Sequence, residues 1–269
     1  MNRSLLALVL AGAAVALAAP VARAADPVSV TVTDSTAADT SHVSDPQALA
    51  IADQVMKALG GNERWDKLHG IRWTWEFTVN DTVKSLRKHS WDKMTGWHRI
   101  SGKTRTGVDF VFIHKLNTPE GMAWMNGVKI EGDSLQKLMK RANSVWINDA
   151  YWFLMPYKLR DPGVTLKYAG QVRDGDNLYD KLGLSFDHVG DTPGDRYWVY
   201  VNRANHRIDK WEMMLQGDQP PPTLYQLEGW EQHQDLWFCT AKRGDQGRVI
   251  YTRNVETVSA FPAAEFTAP

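Results

Sequence analysis

Apolar residues recur along this chain with two distinct periods. Leu49, Ala52, Val55, Met56 and Leu59 fall on one face at helical spacing, which predicts an amphipathic helix. Ser44 or Asp45 is placed to cap it, Pro46 stands in the first turn, Gln47 can complete a capping box with Ser44, and Gly60-Gly61 ends it. From Ile71 the period shortens to two. Ile71, Trp73, Trp75, Phe77 and Val79 share one face, and Arg72, Thr74, Glu76 and Thr78 the other, the pattern of a strand with one side committed to packing. Strand patterns follow at 86–91, 97–101, 110–113, 122–125 and 128–130. Asp92-Lys93-Met94-Thr95-Gly96 supplies one hairpin turn and Asn126-Gly127 another, the latter because both residues accept positive φ.

A helical block interrupts the meander. Behind a cap at Asp133 or Ser134, Leu135, Leu138, Met139, Ala142 and Val145 keep helical spacing. A second short helix is expected from Asn148 or Asp149, carrying Tyr151, Trp152, Phe153, Leu154 and Met155 until Pro156 limits it. Past the turn Asp161-Pro162-Gly163, strand patterns resume at 164–168, 182–186, 196–201, 208–215, 224–230, 236–241 and 248–252. Asp187, His188, Gly190, Asp191, Pro193, Gly194 and Asp195 read as turn formers, and Gln219-Pro220-Pro221-Pro222 as a rigid loop. The expected fold is mainly β: a curved antiparallel sheet or incomplete β-barrel of about ten or eleven strands, with an N-terminal helix and an inserted helical lid, in one domain over 45–269.

The first 44 residues follow neither period. A basic start at Arg3, an apolar run over 5–19 and the small residues around Arg23 read as a secretory signal peptide over 1–24, cleaved near Ala24. The apolar run is shorter than the roughly 20 residues a spanning helix needs. Residues 25–44, rich in Thr, Ser, Asp and Ala, are expected to form a flexible leader. The expected location is therefore periplasmic or secreted. The single cysteine, Cys239, lies far from the cleavage site, so neither a lipid anchor there nor an internal disulfide is expected. Cleavage would remove Arg3 and Arg23 from 31 basic residues and none from 31 acidic ones, leaving a net charge of about −2 and no basic surface for nucleic acid.

Candidate chemistry is sparse. The eight histidines form no HExxH pair, and the chain has no phosphate loop, dinucleotide glycine fingerprint, Cys-rich metal pattern or G-x-S-x-G elbow. No catalytic residue, metal or cofactor is assigned. His89 and His98 flank the first hairpin turn, with Asp92 nearby. They could form a cross-strand metal or acid/base pair, but the reading adopted is surface polar residues on a solvated sheet face.

All twelve tryptophans come after residue 64. On the strand from Ile71 they mark either a core face or a ligand-lining wall, because an indole couples a large apolar area to one N–H donor. Residues 146–157 hold Trp146, Tyr151, Trp152, Phe153, Met155 and Tyr157. A helix apolar on all sides must be buried or must cover something apolar, and ligand-facing and plain core readings weigh equally.

The helix over 46–59, the strand pair over 91–101, the hairpin over 121–130, the helical block over 133–155, and the run Arg196-Tyr197-Trp198-Val199-Tyr200-Val201 followed by Arg207-Ile208-Asp209-Lys210-Trp211 together resemble the LolA/LolB-like superfamily of periplasmic lipoprotein carriers. The resemblance covers most of 46–260, rests on order and pattern, and is closest to an uncharacterised secreted family related to those carriers. It implies a half-barrel wrapped on a helical lid around an apolar cavity. Trp73, Trp75 and Phe77 would then line the wall, and Trp152, Phe153 and Met155 would belong to the lid; Trp146, Tyr151 and Tyr157 of the same aromatic segment complete the ligand-binding candidates. The implied partner is an apolar ligand or lipoprotein acyl chain, with an envelope membrane protein as a further partner. The alternatives are a secreted enzyme acting on envelope material and a glycan-binding or structural envelope module.

Overall fold

The computed structural model describes residues 43–187 and 194–269. The expected signal peptide and almost all of the leader lie outside the described residues, as do His188, Gly190, Asp191 and Pro193. Helices α1 (Pro46–Ala58) and α2 (Asn62–Lys67) come first. Six strands follow: β1 (Gly70–Val79), β2 (Thr82–Asp92), β3 (Trp97–Lys103), β4 (Asp109–Lys115), β5 (Gly121–Met125) and β6 (Val128–Ile130). Helix α3 (Gly132–Leu154) precedes seven more: β7 (Val164–Asp174), β8 (Asn177–Phe186), β9 (Arg196–Asn202), β10 (Ile208–Met214), β11 (Thr223–His233), β12 (Leu236–Arg243) and β13 (Arg248–Val258).

The strands build one open antiparallel sheet in the order β6-β5-β4-β3-β2-β1-β13-β12-β11-β10-β9-β8-β7. Thirteen strands form rather than ten or eleven, because every segment with a strand pattern pairs, down to the three residues of β6. The chain walks from the middle of the sheet to one edge, crosses on α3 to the opposite edge, and walks back until β13 pairs with β1. Asn126-Gly127 makes the expected left-handed turn, with φ of 47° and 77°. Asn80-Asp81 makes a similar one between β1 and β2, with φ of 48° and 58°.

Contacts of α3 show how strongly the sheet curls. Residues 146–153 of one helix occupy roughly 10 Å along its axis. Yet Trp146 touches His98 on β3 while Tyr151 touches Phe186 on β8. Those strands stand eight places apart, about 38 Å in a flat sheet at standard spacing. The two contacts coexist only because the sheet wraps around the C-terminal half of α3.

Two details of the helices differ from expectation. No capping box forms at α1. Ser44 Oγ instead accepts from the Leu166 amide at 3.0 Å and Asp45 Oδ2 from the Tyr168 amide at 2.9 Å, so both side chains tie the helix entry to β7, an edge strand with free backbone groups. The expected break near Asn148 and Asp149 is also absent. Helix α3 runs unbroken to Leu154 and ends in a 3₁₀ turn over Met155–Tyr157. Asp149 was read as a cap because its side chain suits one, but here that carboxylate points across to the sheet.

Apolar burial divides into two cores. The smaller joins Ile100, Phe110, Phe112 and Ala123 of β3–β5 to Met139 and Ala142 of α3. Gly121 lets the helix approach: a Cβ there would collide with Met139 Sδ. The larger core gathers α1, the C-terminal half of α3 and the inner faces of β1 and β7–β13.

Candidate functional site

The inner face follows directly from strand register. On β1 the period-two pattern turns Ile71, Trp73, Trp75 and Phe77 inward, and their partners on β2 are Trp91, His89, Arg87 and Ser85. Trp73 lies flat on the His89 ring at 4.6 Å between centroids and 3° between planes. The Arg87 guanidinium sits 4.0 Å above the Trp75 ring, a cation–π geometry. Indole, imidazole and guanidinium thus form a layered wall that the alternation of each strand dictates.

Helix α3 brings the other aromatic set against that wall. Trp146 packs on His98 at 4.6 Å and on Trp91 at 5.0 Å. Tyr151 meets Tyr197 and Trp211 at 5.9 and 5.7 Å. Trp152 meets Trp211 and Tyr225 at 4.7 and 4.8 Å, and Phe153 meets Trp73 and Phe238 at 5.2 and 5.3 Å. Met155 is buried in the same core, and Phe77 is partly buried at its margin. Tyr157 differs in being fully anchored. Its ring stacks on Trp65 at 4.3 Å, and its hydroxyl lies 3.0 Å from Leu59 O and 2.8 Å from Trp237 O, with one donor shared between them. All nine ligand-lining candidates therefore occupy one core.

A polar chain crosses this interior, and the reading of His89 and His98 as surface residues is overturned by it. Both are buried, as is His114. Asp149 of α3 accepts from Arg87 Nε at 2.5 Å and Arg87 Nη2 at 2.7 Å, a bidentate pair, and lies 3.1 Å from His89 Nε2. His89 Nδ1 lies 3.0 Å from His98 Nε2, and His98 Nδ1 lies 2.8 Å from His114 Nε2. An ionised Asp149 fixes every proton in this series. His89 must donate through Nε2, so its Nδ1 accepts from His98 Nε2–H, whose Nδ1 accepts from His114 Nε2–H. The three neutral imidazoles point their donors one after another toward the carboxylate.

Burial and charge agree with that assignment. Desolvation lowers the pKa of all three histidines, that of His98 furthest, with His89 and His114 adding to the effect there, and that of His114 to about 4. Burial alone would raise the Asp149 carboxyl, but the His89 hydrogen bond and the Arg87 charge outweigh it and hold it below its ordinary value. Both nitrogens of His89 and of His98 face hydrogen-bond partners in line, so their lone pairs do not converge on a point as metal ligands must. Among the described residues no group of three or more His, Cys, Asp or Glu side chains is arranged to hold a metal ion. What the series does is fasten α3 to β2 and, through it, to β3 and β4.

The sequence signals for this bolt were partial. Hairpin register placed His89 near His98, but nothing local ties Arg87 to Asp149, 62 residues apart. A further feature had no signal at all. Trp73, Trp75, Trp91 and Trp211 Nε1 and Tyr151 Oη are buried with no hydrogen-bond partner among the described residues. Burial pushes the Tyr151 phenol well above its ordinary pKa, with Tyr197 and Asp161 adding to the effect, so it keeps its proton as a donor.

No family model matches the sequence and no curated protein matches it. Among solved structures the chain is similar to a LolA superfamily protein from Nitrosomonas europaea, at 12% identity over 82% of this chain and 97% of that one, with a TM-score of 0.49. It is similar to a putative outer membrane lipoprotein-sorting protein domain from Vibrio parahaemolyticus at 12% identity, over 82% and 96% of the two chains, with a TM-score of 0.48. It is also similar to a DUF1329 family protein from Desulfovibrio piger at 12% identity, over 81% and 96%, with a TM-score of 0.48.

Proposed function

We propose that this chain is a non-catalytic binding protein for an amphiphile with an acyl chain, held between the inner wall of the sheet and the C-terminal half of α3, with Trp73, Trp75 and Phe77 on one side and Trp146, Tyr151, Trp152, Phe153 and Met155 on the other. The observation that carries this reading is the set of unpaired buried indole and phenol donors of this core: Trp73, Trp75, Trp91, Trp211 and Trp230 Nε1 and Tyr151 Oη. A buried donor without an acceptor costs about 1–3 kcal/mol, and six in one aromatic core are a standing demand for acceptor oxygens in an apolar setting. An acyl ligand supplies both. Its methylenes contribute about 0.8 kcal/mol each on burial, and its ester or carboxyl oxygens accept from the indoles. Entry requires this part of α3 to part from the wall, which exchanges its aromatic contacts and opens the Asp149 bolt.

Periplasmic or secreted location, after cleavage near Ala24, belongs to the same proposal. Among the described residues no helix is long and apolar enough to cross a membrane. A glycan module needs flat exposed rings for stacking. The exposed large hydrophobics among the described residues are Val43, Val83, Leu86, Met94, Val128, Leu215 and Leu224, none of them aromatic. The test is titration of the purified protein with a fluorescent long-chain acyl probe, followed by native mass spectrometry. Saturable one-to-one binding with a change in tryptophan emission is expected. A protein that binds no acyl probe and is purified without lipid would refute the proposal.

A further inference from the structure

Beside the aromatic wall lies a cation that the bolt does not use. Lys242 on β12 is only 1% exposed. Its strand partner is Ile250, which in turn opposes Phe77, and Thr252 on the same strand opposes Trp75. The lysine therefore faces the interior next to two of the wall residues. Its Nζ donates to Cys239 O at 2.6 Å and to Thr252 Oγ1 at 3.2 Å, and lies 5.9 Å from the Phe153 ring of α3. Among the described residues no carboxylate pairs with it. Thr252 Oγ1 itself donates to Cys239 O at 3.0 Å, so the hydroxyl is oriented to accept from the ammonium. Two of three ammonium donors are thereby used, and one remains.

An ammonium taken out of water without a counter-ion is among the most costly groups a core can hold. Burial accordingly lowers the Lys242 pKa. Simple packing at this place would be served better by Met or Leu. Charge placed there has a use if an anion arrives. The nearby wall adds a second donor suited to the same group, the unpaired Nε1 of Trp75.

We infer that Lys242 is the headgroup receptor of the interior, and that the ligand is a long-chain carboxylic acid whose carboxylate pairs with Lys242 Nζ while its chain runs along the aromatic wall. This rests on the acyl-binding proposal and narrows it from acyl compounds in general to free acids. An ester or an alcohol offers oxygen acceptors but no charge, so neither neutralises the buried ammonium.

The full chain should be assayed by displacement of the fluorescent acyl probe with hexadecanoate, methyl hexadecanoate, hexadecan-1-ol and a lysophospholipid of the same chain length, at neutral pH. The acid is expected to bind about tenfold or more tightly than the ester and the alcohol, the margin of an ion pair over a hydrogen bond from the same ammonium to a neutral oxygen. Lys242→Met, similar in length and apolar, should bring the acid down to the level of the ester. Equal affinity of wild-type protein for acid and ester overturns the inference, as does a preference for the lysophospholipid or an acid preference that survives in Lys242→Met. In all three of those outcomes acyl binding itself still stands. Failure of every ligand and of the probe removes the acyl-binding proposal and this inference together.

Discussion

The two halves of α3 are held in different ways. Its N-terminal half closes the smaller core with Met139 and Ala142 against Ile100, Phe110, Phe112 and Ala123, and no unpaired buried side-chain donor falls in that cluster among the described residues. Its C-terminal half faces indoles and phenols, and every unpaired indole and phenol donor belongs to that larger core. Asp149, within that C-terminal half, is bolted to Arg87 and His89. One end of the helix is a finished interior, and the other is stable yet chemically incomplete. Under the acyl-binding proposal, the end packed through Met139 and Ala142 would stay in place while the aromatic end exchanged its own contacts for those of a ligand.

The largest effect should come from removing the bolt. Asp149→Ala leaves the Arg87 guanidinium without its carboxylate beneath the helix, and loss of one partner of a buried pair costs about 3–5 kcal/mol. Urea unfolding of the variant should show that drop. A loss below about 1 kcal/mol would mean that the pair behaves as an exposed one and would erase the distinction between the two halves. Met139→Ala, in the smaller core, should cost about 2–5 kcal/mol by cavity formation and leave acyl-probe affinity unaltered. Trp152→Ala should change probe affinity as well as stability. If Met139→Ala and Trp152→Ala move binding equally, the two halves do not divide the labour.

Much of this comparison was visible in the sequence, and what was hidden has a physical reason. The alternation of Ile71, Trp73, Trp75 and Phe77 announced the wall, because a strand with one buried face repeats every second residue. The crowding of aromatics from Trp146 to Tyr157 announced the opposing surface. The bolt stayed hidden because its members meet only in the closed tertiary structure: Asp149 looks like a helix cap until Arg87 arrives from β2. The histidines were placed in register but on a solvated face, since nothing local shows that α3 covers them. Lys242 sits one residue before the exposed Arg243 and reads as an ordinary strand-end lysine. Only the register with Ile250 and Thr252 turns it inward. Periodicity reports which face is apolar, and it is silent on which polar group that face has been folded to enclose.

Acid should loosen the bolt from the β3 and β4 side. The folded-state pKa values of His89, His98 and His114 lie below the ordinary value of 6.5, so the unfolded chain binds protons first as pH falls. The stability due to these neutral imidazoles is complete above about pH 6.5 and is lost as pH drops toward the folded-state values, about 4 for His114. Each proton taken up adds a slope of about 1.4 kcal/mol per pH unit. Asp149, whose pKa is lowered from 3.8, contributes no loss until pH falls below that value. Thermal melts between pH 7 and pH 4.5 should therefore show a steep fall, and His98→Gln should flatten it. A Tm independent of pH across that window would contradict the buried neutral series.

The smallest change gives the sharpest reading, because α3 and the turn behind it carry two buried tyrosines in opposite situations. Tyr157 Oη sits between the carbonyls of Leu59 and Trp237, so Tyr157→Phe removes a satisfied donor and should cost about 0.5–1.5 kcal/mol. Tyr151 Oη is buried without a partner among the described residues. Removing it deletes a desolvated hydroxyl and nothing else, so Tyr151→Phe should leave the ligand-free protein unchanged or more stable by about 1 kcal/mol. The same substitution should weaken acyl-probe binding, because the hydroxyl gains its acceptor only when a ligand brings one. Opposite signs on stability and affinity at Tyr151, against a loss of stability alone at Tyr157, would place the incomplete half of the helix at the residue where the ligand completes it. If Tyr151→Phe destabilises the free protein as much as Tyr157→Phe does, its hydroxyl already has a partner and the interior is an ordinary core.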